Sequence, residues 1–204
     1  MRLLYQNYNS VYLCEENNQK VVKKKFKNKF CWENETKVIK ILESYNLPIP
    51  KIINVGYLEN TYSFIEKQTF DTTLKSFPEK VDILIELQKE FSRIHDDNLH
   101  HFDDRDKSLL KYGNKLLIAG KIDRLLFDKL NKISENYKLK VEGFVHGDFR
   151  PSNIFGLDKV EGLIDFEFSG MDDPNQDLAY LWVESVSINK ELNHYLKQKF
   201  KSLD

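Results

Sequence analysis

Twelve consecutive residues decide how this chain folds: Phe144-Val145-His146-Gly147-Asp148-Phe149-Arg150-Pro151-Ser152-Asn153-Ile154-Phe155. Together with Gly143, the first two of them form a short apolar strand, Gly143-Phe144-Val145, that runs into a polar cluster. A second apolar strand, Gly162-Leu163-Ile164, runs in the same way into Asp165-Phe166-Glu167. Each of the two strands therefore delivers a carboxylate to its polar end.

The spacing of the polar residues indicates a shared site. Asn153 follows Asp148 by 5 residues and Asp165 follows it by 17, so a short hairpin can bring the three together. Two carboxylates and a side-chain amide offer the oxygen ligands that suit Mg²⁺ held partly by substrate phosphates. A carboxylate that does not bind the metal could accept a proton from an attacking hydroxyl. The pattern therefore predicts a magnesium site beside a proton acceptor.

The rest of the chain divides into two parts. Up to residue 66, short strands and Asn-rich turns surround one amphipathic helix near residues 33–45. From about residue 70, apolar residues recur at helical spacing. We therefore predict an α+β fold, with a small antiparallel-sheet lobe at 1–66 and a mostly helical lobe at 67–204. Clefts between lobes are common ligand sites.

Composition narrows the possible classes of protein. The chain has 204 residues, of which 41% are hydrophobic, and 31 Lys+Arg against 32 Asp+Glu give a net charge of −1. This balance argues against a nucleic-acid-binding protein. No apolar run approaches the roughly 20 residues that would span a membrane. With 2 cysteines and no apolar leader segment, we expect a cytoplasmic protein.

Three motifs together resemble a known family. They are H-G-D-x-x-x-x-N at 146–153, I-D-x-E at 164–167 and D-P-x-x-D-L-A at 173–179. This order resembles the aminoglycoside phosphotransferase and choline kinase family, which shares the bilobal protein-kinase-like fold. The resemblance implies an enzyme that moves the γ-phosphoryl group of ATP to a small-molecule hydroxyl and requires Mg²⁺. The resemblance is compatible with GTP as the phosphate donor as well, and we take ATP as the default nucleotide.

The resemblance also implies roles for individual residues. Asp148 would orient the acceptor hydroxyl and take its proton, while Asn153 and Asp165 would hold Mg²⁺ against the nucleotide phosphates. We expect His146 to shape the loop through hydrogen bonds rather than to transfer protons. Asp177 would brace the same loop from the start of a helix.

In the small lobe, the resemblance implies a lysine and a glutamate that act at the nucleotide phosphates. The family pattern selects Glu35 on the helix. The stretch 21–26 offers Lys23, Lys24 and Lys25 as candidates for the lysine. Strand alternation puts Lys23 and Lys25 on one face of the strand and Lys24 on the other. Lys23 follows the apolar residue Val22, which would anchor the opposite face in the core. We therefore favour Lys23, with Lys24 as the second choice.

The segment that joins the two lobes resembles the family's purine-binding strand. Ile65 and Glu66 lie in it, and their backbone groups would pair with the base. Two features depart from the family pattern. The segment Gln6–Tyr12, at the place of the phosphate-covering loop, contains no glycine, and the chain after Asp177 is short.

The acceptor is not determined by these motifs. Asp103 and Asp104 belong to an acidic stretch that could line a pocket for a cationic acceptor. Choline, homoserine, a sugar or a protein hydroxyl would suit the same chemistry. A non-catalytic nucleotide-binding module is the alternative from another class, and the motifs do not indicate an oligomeric state.

Overall fold

The first part of the chain forms one antiparallel sheet with a helix packed against it. The structure, a computed structural model, describes residues 1–6, 8–66, 77–101, 114–136, 143–156, 159–188 and 192–201. The sheet has the strand order β1-β2-β3-β5-β4. Its elements are β1 Arg2–Gln6, β2 Ser10–Glu16, β3 Gln19–Lys25, α1 Lys29–Leu42, β4 Ile52–Gly56 and β5 Glu59–Ser63.

Local sequence explains the tight turn between β2 and β3. Asn17 and Asn18 both adopt positive φ, at 50° and 62°. Asparagine tolerates this left-handed conformation better than most residues, and two such residues in succession give a two-residue hairpin turn. The turn places β3 in the middle of the sheet, paired with β2 on one side and with β5 on the other.

Helix α1 begins about one turn earlier than the apolar periodicity predicts. Asn28 adopts an extended conformation, and its side-chain Oδ1 accepts hydrogen bonds from the backbone N–H groups of Phe30 (2.8 Å) and Cys31 (3.4 Å). Such an N-cap satisfies donors that the helix itself leaves unpaired. The earlier start adds Cys31 to the buried face of α1.

The second part of the chain is mostly helical. Its longer described helices are α2 Phe77–Phe91, α3 Arg124–Asn136, α4 Asn175–Ile188 and α5 Leu192–Lys201. Two small two-stranded antiparallel sheets lie between α3 and α4. In one, β6 Gly143–Val145 pairs with β9 Gly170–Asp172, and in the other, β7 Ile154–Phe155 and β8 Gly162–Leu163 form a hairpin. These sheets contain the two apolar strands that the sequence indicates.

The buried core joins the helices to the two small sheets. The ring of Phe91 on α2 packs edge-to-face against the ring of Phe144 on β6, with 5.3 Å between the ring centroids. It also packs against the ring of Phe149, with 6.1 Å between the centroids. Burial of these side chains fixes β6 on the helical part, since fully burying a large apolar side chain contributes roughly 1.5–3 kcal/mol. The strand that leads to Asp148 therefore has a rigid base.

Polar contacts also connect the two parts. The Asn34 side chain on α1 donates to the backbone carbonyls of Glu167 (3.2 Å) and Ser169 (2.8 Å). The Leu163 N–H donates to the carbonyl of Pro48 at 2.8 Å. The predicted lobe boundary between residues 66 and 67 stays a prediction, because residues 67–76 lie outside the described ranges. Among the helices that the structure describes, none has the length and apolar character that crossing a membrane requires.

Candidate active site

Gly147 shapes the loop that follows β6. It adopts a φ of +79°, and a Cβ at this position would lie 2.1 Å from the carbonyl oxygen of Phe168. A side chain would therefore meet both backbone strain and a steric clash. The requirement explains the glycine of the His146-Gly147-Asp148 motif, since this turn directs Asp148 away from the strand.

Asp177 holds the same loop from the first turn of α4, as the sequence predicts. Its carboxylate is fully buried. Oδ2 accepts the N–H of His146 at 2.7 Å and Oδ1 accepts the N–H of Gly147 at 2.9 Å. Hydrogen bonds to a charged group contribute more to stability than neutral ones. The two bonds fix the backbone immediately before Asp148.

His146 is also part of the loop's internal support. Its side chain is fully buried, with Nε2 at 2.9 Å from the carbonyl of Ile164 and Nδ1 at 3.3 Å from the N–H of Asp148. Nδ1 therefore acts as the acceptor and Nε2 carries the proton. Burial lowers the pKa of His146 to about 4. A neutral imidazole held by two backbone groups agrees with the structural role expected for it.

This buried histidine gives a prediction for the pH dependence of stability. The folded protein keeps His146 neutral down to about pH 4, whereas an unfolded histidine binds a proton near pH 6.5. Because the unfolded state binds more protons between these values, the free energy of unfolding should fall as the pH decreases through this range. The total loss should be about 3 kcal/mol, at about 1.4 kcal/mol per pKa unit.

Urea unfolding between about pH 7 and about pH 4 measures the effect. The His146→Gln variant is the control, because glutamine can still donate to Ile164 but does not titrate in this range. We expect a steeper loss of stability for the wild-type protein than for the variant. Parallel curves for the two proteins would contradict the prediction.

The carboxylate of Asp148 is held through one of its two oxygens. Oδ2 accepts hydrogen bonds from Arg150 Nε (3.0 Å), Arg150 Nη2 (2.7 Å) and Asn153 Nδ2 (2.8 Å). Asn153 Nδ2 also donates to the backbone carbonyl of Asp148 at 3.0 Å. Within the described part of the chain, Oδ1 accepts no hydrogen bond. The three donors fix the carboxylate and leave one oxygen for another partner.

Asp165 follows β8 and begins a 3₁₀ helix over Phe166–Phe168. It adopts a left-handed conformation, with φ 74° and ψ 55°, which is unusual for a non-glycine residue and clusters at functional sites. The Ile164 N–H donates to the carbonyl of Asn153 at 3.1 Å. This hydrogen bond brings the two loops together, as the spacing of the motifs predicts.

Lys24 projects from β3 into a cluster of three carboxylates. Its Nζ lies 2.6 Å from Glu35 Oε2 and 3.6 Å from Glu167 Oε2, and it forms an ion pair with Asp165 Oδ1. Although burial acts to lower the pKa of Lys24, the carboxylates of Glu35, Asp165 and Glu167 raise it above its usual value. Lys24 is therefore charged, and it links the sheet, α1 and the Asp165 loop.

Burial raises the pKa of both Glu35 and Glu167, and Lys24 opposes the shift in each case. Glu35 is the residue that the family pattern selects, and the structure places it in the cluster. Carboxylate oxygens of Glu35, Asp165 and Glu167 lie within 4.8 Å of one another. Like charges this close require a cation among them, and Lys24 supplies one.

The structure does not bring Lys23, the favoured candidate, to this cluster. Its Nζ pairs with Glu16 at 2.6 Å, and the side chain is partly exposed. Lys24, the second choice, occupies the position instead, while Lys25 is exposed and pairs with Glu59. One apolar neighbour does not select the lysine of the cluster, because β3 has inward-facing apolar side chains on both of its faces. Val21 is buried, and Val22 lines the same cavity as Lys24.

A cavity of 480 Å³ lies between the five-stranded sheet and the hairpin of β7 and β8, a size typical of small-molecule sites. Its polar lining includes Lys24, Glu35, Asn153, Asp165 and Arg150. Its apolar and aromatic lining comes from Leu4, Tyr5, Val11, Val22, Ile39, Pro50, Tyr62, Phe64, Ile65, Phe155 and Ile164. The cavity therefore combines an apolar slot with a charged end.

Ile65 and Glu66, the two residues predicted to join the lobes, differ in their contact with this cavity. Ile65 lines it. The Glu66 side chain is exposed and pairs with Lys20 at 2.9 Å, so its side chain does not belong to the site. Asp103 and Asp104, suggested for a cationic acceptor, lie outside the described residues.

Asn9 reaches the site from the glycine-free segment between β1 and β2. Its side chain is buried, with Nδ2 donating to Glu167 Oε2 at 2.6 Å and Oδ1 accepting the N–H of Lys27 at 3.3 Å. The segment is thus attached to the second part of the chain by a side chain. Residue 7 lies outside the described ranges.

No role in the site was assigned from the sequence to the side chains of Arg150, Asn9 and Glu167. The signal for Arg150 was a basic residue two positions after Asp148, and Glu167 lies inside the quoted I-D-x-E motif. Asn9 gave no comparable signal, because its partner is 158 residues away.

Comparisons with known proteins agree with this geometry. The model of the phosphotransferase enzyme family matches residues 6–200. The ADP-bound structure of aminoglycoside phosphotransferase APH(2'')-Ib is 18% identical, with a TM-score of 0.67 over 97% of this chain and 80% of that one. The gentamicin complex of APH(2")-IIa is 18% identical, with a TM-score of 0.68 over 97% and 79%.

A third solved structure is a variant of aminoglycoside phosphotransferase APH(4)-Ia in a ternary complex with AMP-PNP and hygromycin B. It is 13% identical, with a TM-score of 0.75 over 100% of this chain and 78% of that one. At these identities the likeness shows the fold, and it confirms the predicted bilobal, protein-kinase-like α+β architecture. A search of curated proteins finds no match.

Proposed function

This chain belongs to the phosphotransferase enzyme family, and we propose that it transfers the γ-phosphoryl group of ATP to a hydroxyl of a small molecule. The observation that carries the proposal is the meeting of Lys24, Asn153 and Asp165 in the lining of one cavity, with Asp148 hydrogen-bonded to Asn153. Phosphoryl transfer needs positioning and charge stabilisation more than covalent chemistry. These residues offer a phosphate-binding cation, oxygen ligands and a proton acceptor.

In this proposal the nucleotide base occupies the apolar slot and the phosphates face Lys24. The backbone of Ile65 and Glu66 pairs with the base edge, and this kind of recognition suits ATP as well as GTP. The Lys24 ammonium then holds phosphate oxygens, while Glu35 keeps it in place. Solved structures of relatives with ADP and AMP-PNP support a nucleotide in a cavity of this fold.

Asp148 serves as the proton acceptor. Arg150 and Asn153 hold its Oδ2, so Oδ1 is the oxygen that receives the hydroxyl proton. As the acceptor oxygen bonds to the γ-phosphorus, the bond between that phosphorus and the β–γ bridging oxygen breaks. The products are ADP and a phosphomonoester, and the proton moves from the acceptor to Asp148.

The residues at the charged end fit Mg²⁺. The Asp165 carboxylate and the Asn153 amide both line the cavity, and Asn153 Oδ1 accepts no hydrogen bond from the described residues. Hard oxygen donors of this kind suit magnesium. Asn153 and Asp165 would hold the ion, which when bound neutralises phosphate charge. Lys24, which pairs with Glu35 as well as with Asp165, would keep its contact with Glu35.

Support for the chemical class of the acceptor molecule comes from solved structures of proteins with this fold. Solved structures of the neighbours contain gentamicin, streptomycin or hygromycin B, which supports a small hydroxylated molecule here. The proposal does not require an aminoglycoside, and choline, homoserine or a sugar presents the same reactive group.

Nucleotide titration with and without Mg²⁺, followed by an ADP-release assay, tests the proposed function. The acceptor panel would contain gentamicin, hygromycin B, choline, homoserine and a neutral sugar. We expect Mg²⁺ to strengthen ATP binding and ADP release to rise with one of these compounds. Asp165→Asn should remove the Mg²⁺ effect and reduce turnover by at least about 10²-fold. Equal ATP affinity with and without Mg²⁺, unchanged by Asp165→Asn, would contradict the proposed site.

A further inference from the structure

A buried hydrogen-bond network runs behind the proposed phosphate-binding lysine. We propose that Tyr62, oriented by Asn60, is a positioning residue that fixes Glu35 and through it Lys24. The inference rests on the proposed function, because it assigns the network a role in nucleotide binding and transfer. None of the motifs in the sequence points to Tyr62 or Asn60.

The contacts around Glu35 show why Tyr62 matters. The Tyr62 hydroxyl donates to Glu35 Oε1 at 2.6 Å, and Lys24 Nζ donates to Oε2 at 2.6 Å. Each carboxylate oxygen therefore has its own strong donor. Glu35 is 2% exposed, so water cannot readily replace either donor. The carboxylate is fixed from both sides, and loss of one donor frees it to rotate.

The direction of the Tyr62 hydroxyl is set by Asn60. Asn60 Nδ2 donates to the Tyr62 hydroxyl oxygen at 2.9 Å and to Thr36 Oγ1 at 2.8 Å. Asn60 Oδ1 in turn accepts the indole N–H of Trp32 at 3.1 Å. Because the hydroxyl oxygen accepts from Asn60, its proton is left for Glu35. The network therefore joins α1 to β5 in one fixed register.

The fixed position of Glu35 matters because other carboxylates compete with it for Lys24. The ammonium also contacts Asp165 and Glu167, and so three carboxylates share one cation. If Glu35 rotates away, Lys24 can move toward the other two and away from the position at which it meets phosphate. Tyr62 also lines the cavity, so the network lies directly against the proposed nucleotide site.

The test is Tyr62→Phe, which keeps the ring and removes the hydroxyl. Readouts are the affinity for Mg·AMP-PNP by calorimetry, kcat and KM for ATP, and the thermal unfolding midpoint. We expect kcat/KM for ATP to fall by about tenfold or more, as for loss of a hydrogen bond to a charged group. The control is Tyr45→Phe, since Tyr45 is also partly buried but its hydroxyl makes no hydrogen bond among the described residues.

A double-mutant cycle separates positioning from a general effect on folding. If Tyr62 acts through Glu35, Tyr62→Phe should cause little further loss of kcat/KM in a Glu35→Gln background. The inference is overturned if Tyr62→Phe lowers the unfolding midpoint but binds and turns over ATP as Tyr45→Phe does. Equal losses in both backgrounds would also overturn it. In contrast, a wild-type protein that binds no nucleotide would refute the proposed function itself.

Discussion

Asp148→Asn should slow phosphoryl transfer by about 10²–10⁴-fold, the range expected when a positioned base is lost. Asparagine keeps the shape of the side chain and can still accept from Arg150 and Asn153, which hold Oδ2 in the wild-type protein. It cannot take the proton of the acceptor hydroxyl. Because Asp148 does not contact the nucleotide in the proposed mechanism, ATP affinity should change little. Single-turnover ADP formation and calorimetry measure the two quantities separately.

The matched control for this variant is Asp128→Asn. Asp128 is exposed and pairs with Arg124 on the surface of α3, so its loss should affect neither turnover nor binding. If Asp148→Asn retained wild-type turnover, Asp148 would not be the base. An equally large loss of ATP affinity in Asp148→Asn would instead assign the residue to the nucleotide site.

Lys24→Met should reduce turnover by about 10²–10³-fold, the cost of removing one charged or polar group that stabilises the transition state. The variant also leaves Glu35, Asp165 and Glu167 close together without their cation. Breaking a buried ion pair typically costs about 3–5 kcal/mol, so the unfolding midpoint should fall as well. Lys24→Arg keeps the charge and should retain the fold, while its different shape should still weaken ATP binding.

Lys23→Met is the matched control for Lys24→Met, since it removes the neighbouring lysine of the same strand. The Lys23–Glu16 pair is partly exposed, and solvent screening leaves pairs of this kind with little effect on stability. ATP affinity and turnover of Lys23→Met should therefore match the wild-type protein. A large loss in Lys23→Met with normal activity in Lys24→Met would contradict the assignment from the structure and restore the expectation from the sequence.

The choice among the three lysines shows the limit of local sequence patterns. Alternation correctly separates Lys23 and Lys25 from Lys24, but it does not say which face of β3 meets α1. That choice depends on the packing of β3 between β2 and β5, which lies beyond the local pattern. The start of α1 illustrates a different limit, since the cap at Asn28 rather than the apolar periodicity sets it.

The Asp148 and Asp165 loops were more predictable because their information is local. Two apolar strands, a glycine with positive φ and polar residues at fixed spacing lie within 22 residues, from Phe144 to Asp165. In contrast, Asn9 meets Glu167 across 158 residues and Tyr62 meets Glu35 across 27. Such contacts depend on how the two parts of the chain pack, and the side chains involved fit many roles in a single sequence.

One measurement tests the central claim most directly: phosphorus NMR of ATP incubated with the protein, Mg²⁺ and a low-molecular-weight extract of the cells that produce it. The extract supplies the natural acceptor without requiring its identity. We expect ADP to form together with a new phosphomonoester signal, and both to be lost with Asp148→Asn or without Mg²⁺. ATP that binds to the protein but remains intact, with no phosphomonoester formed, would contradict the account.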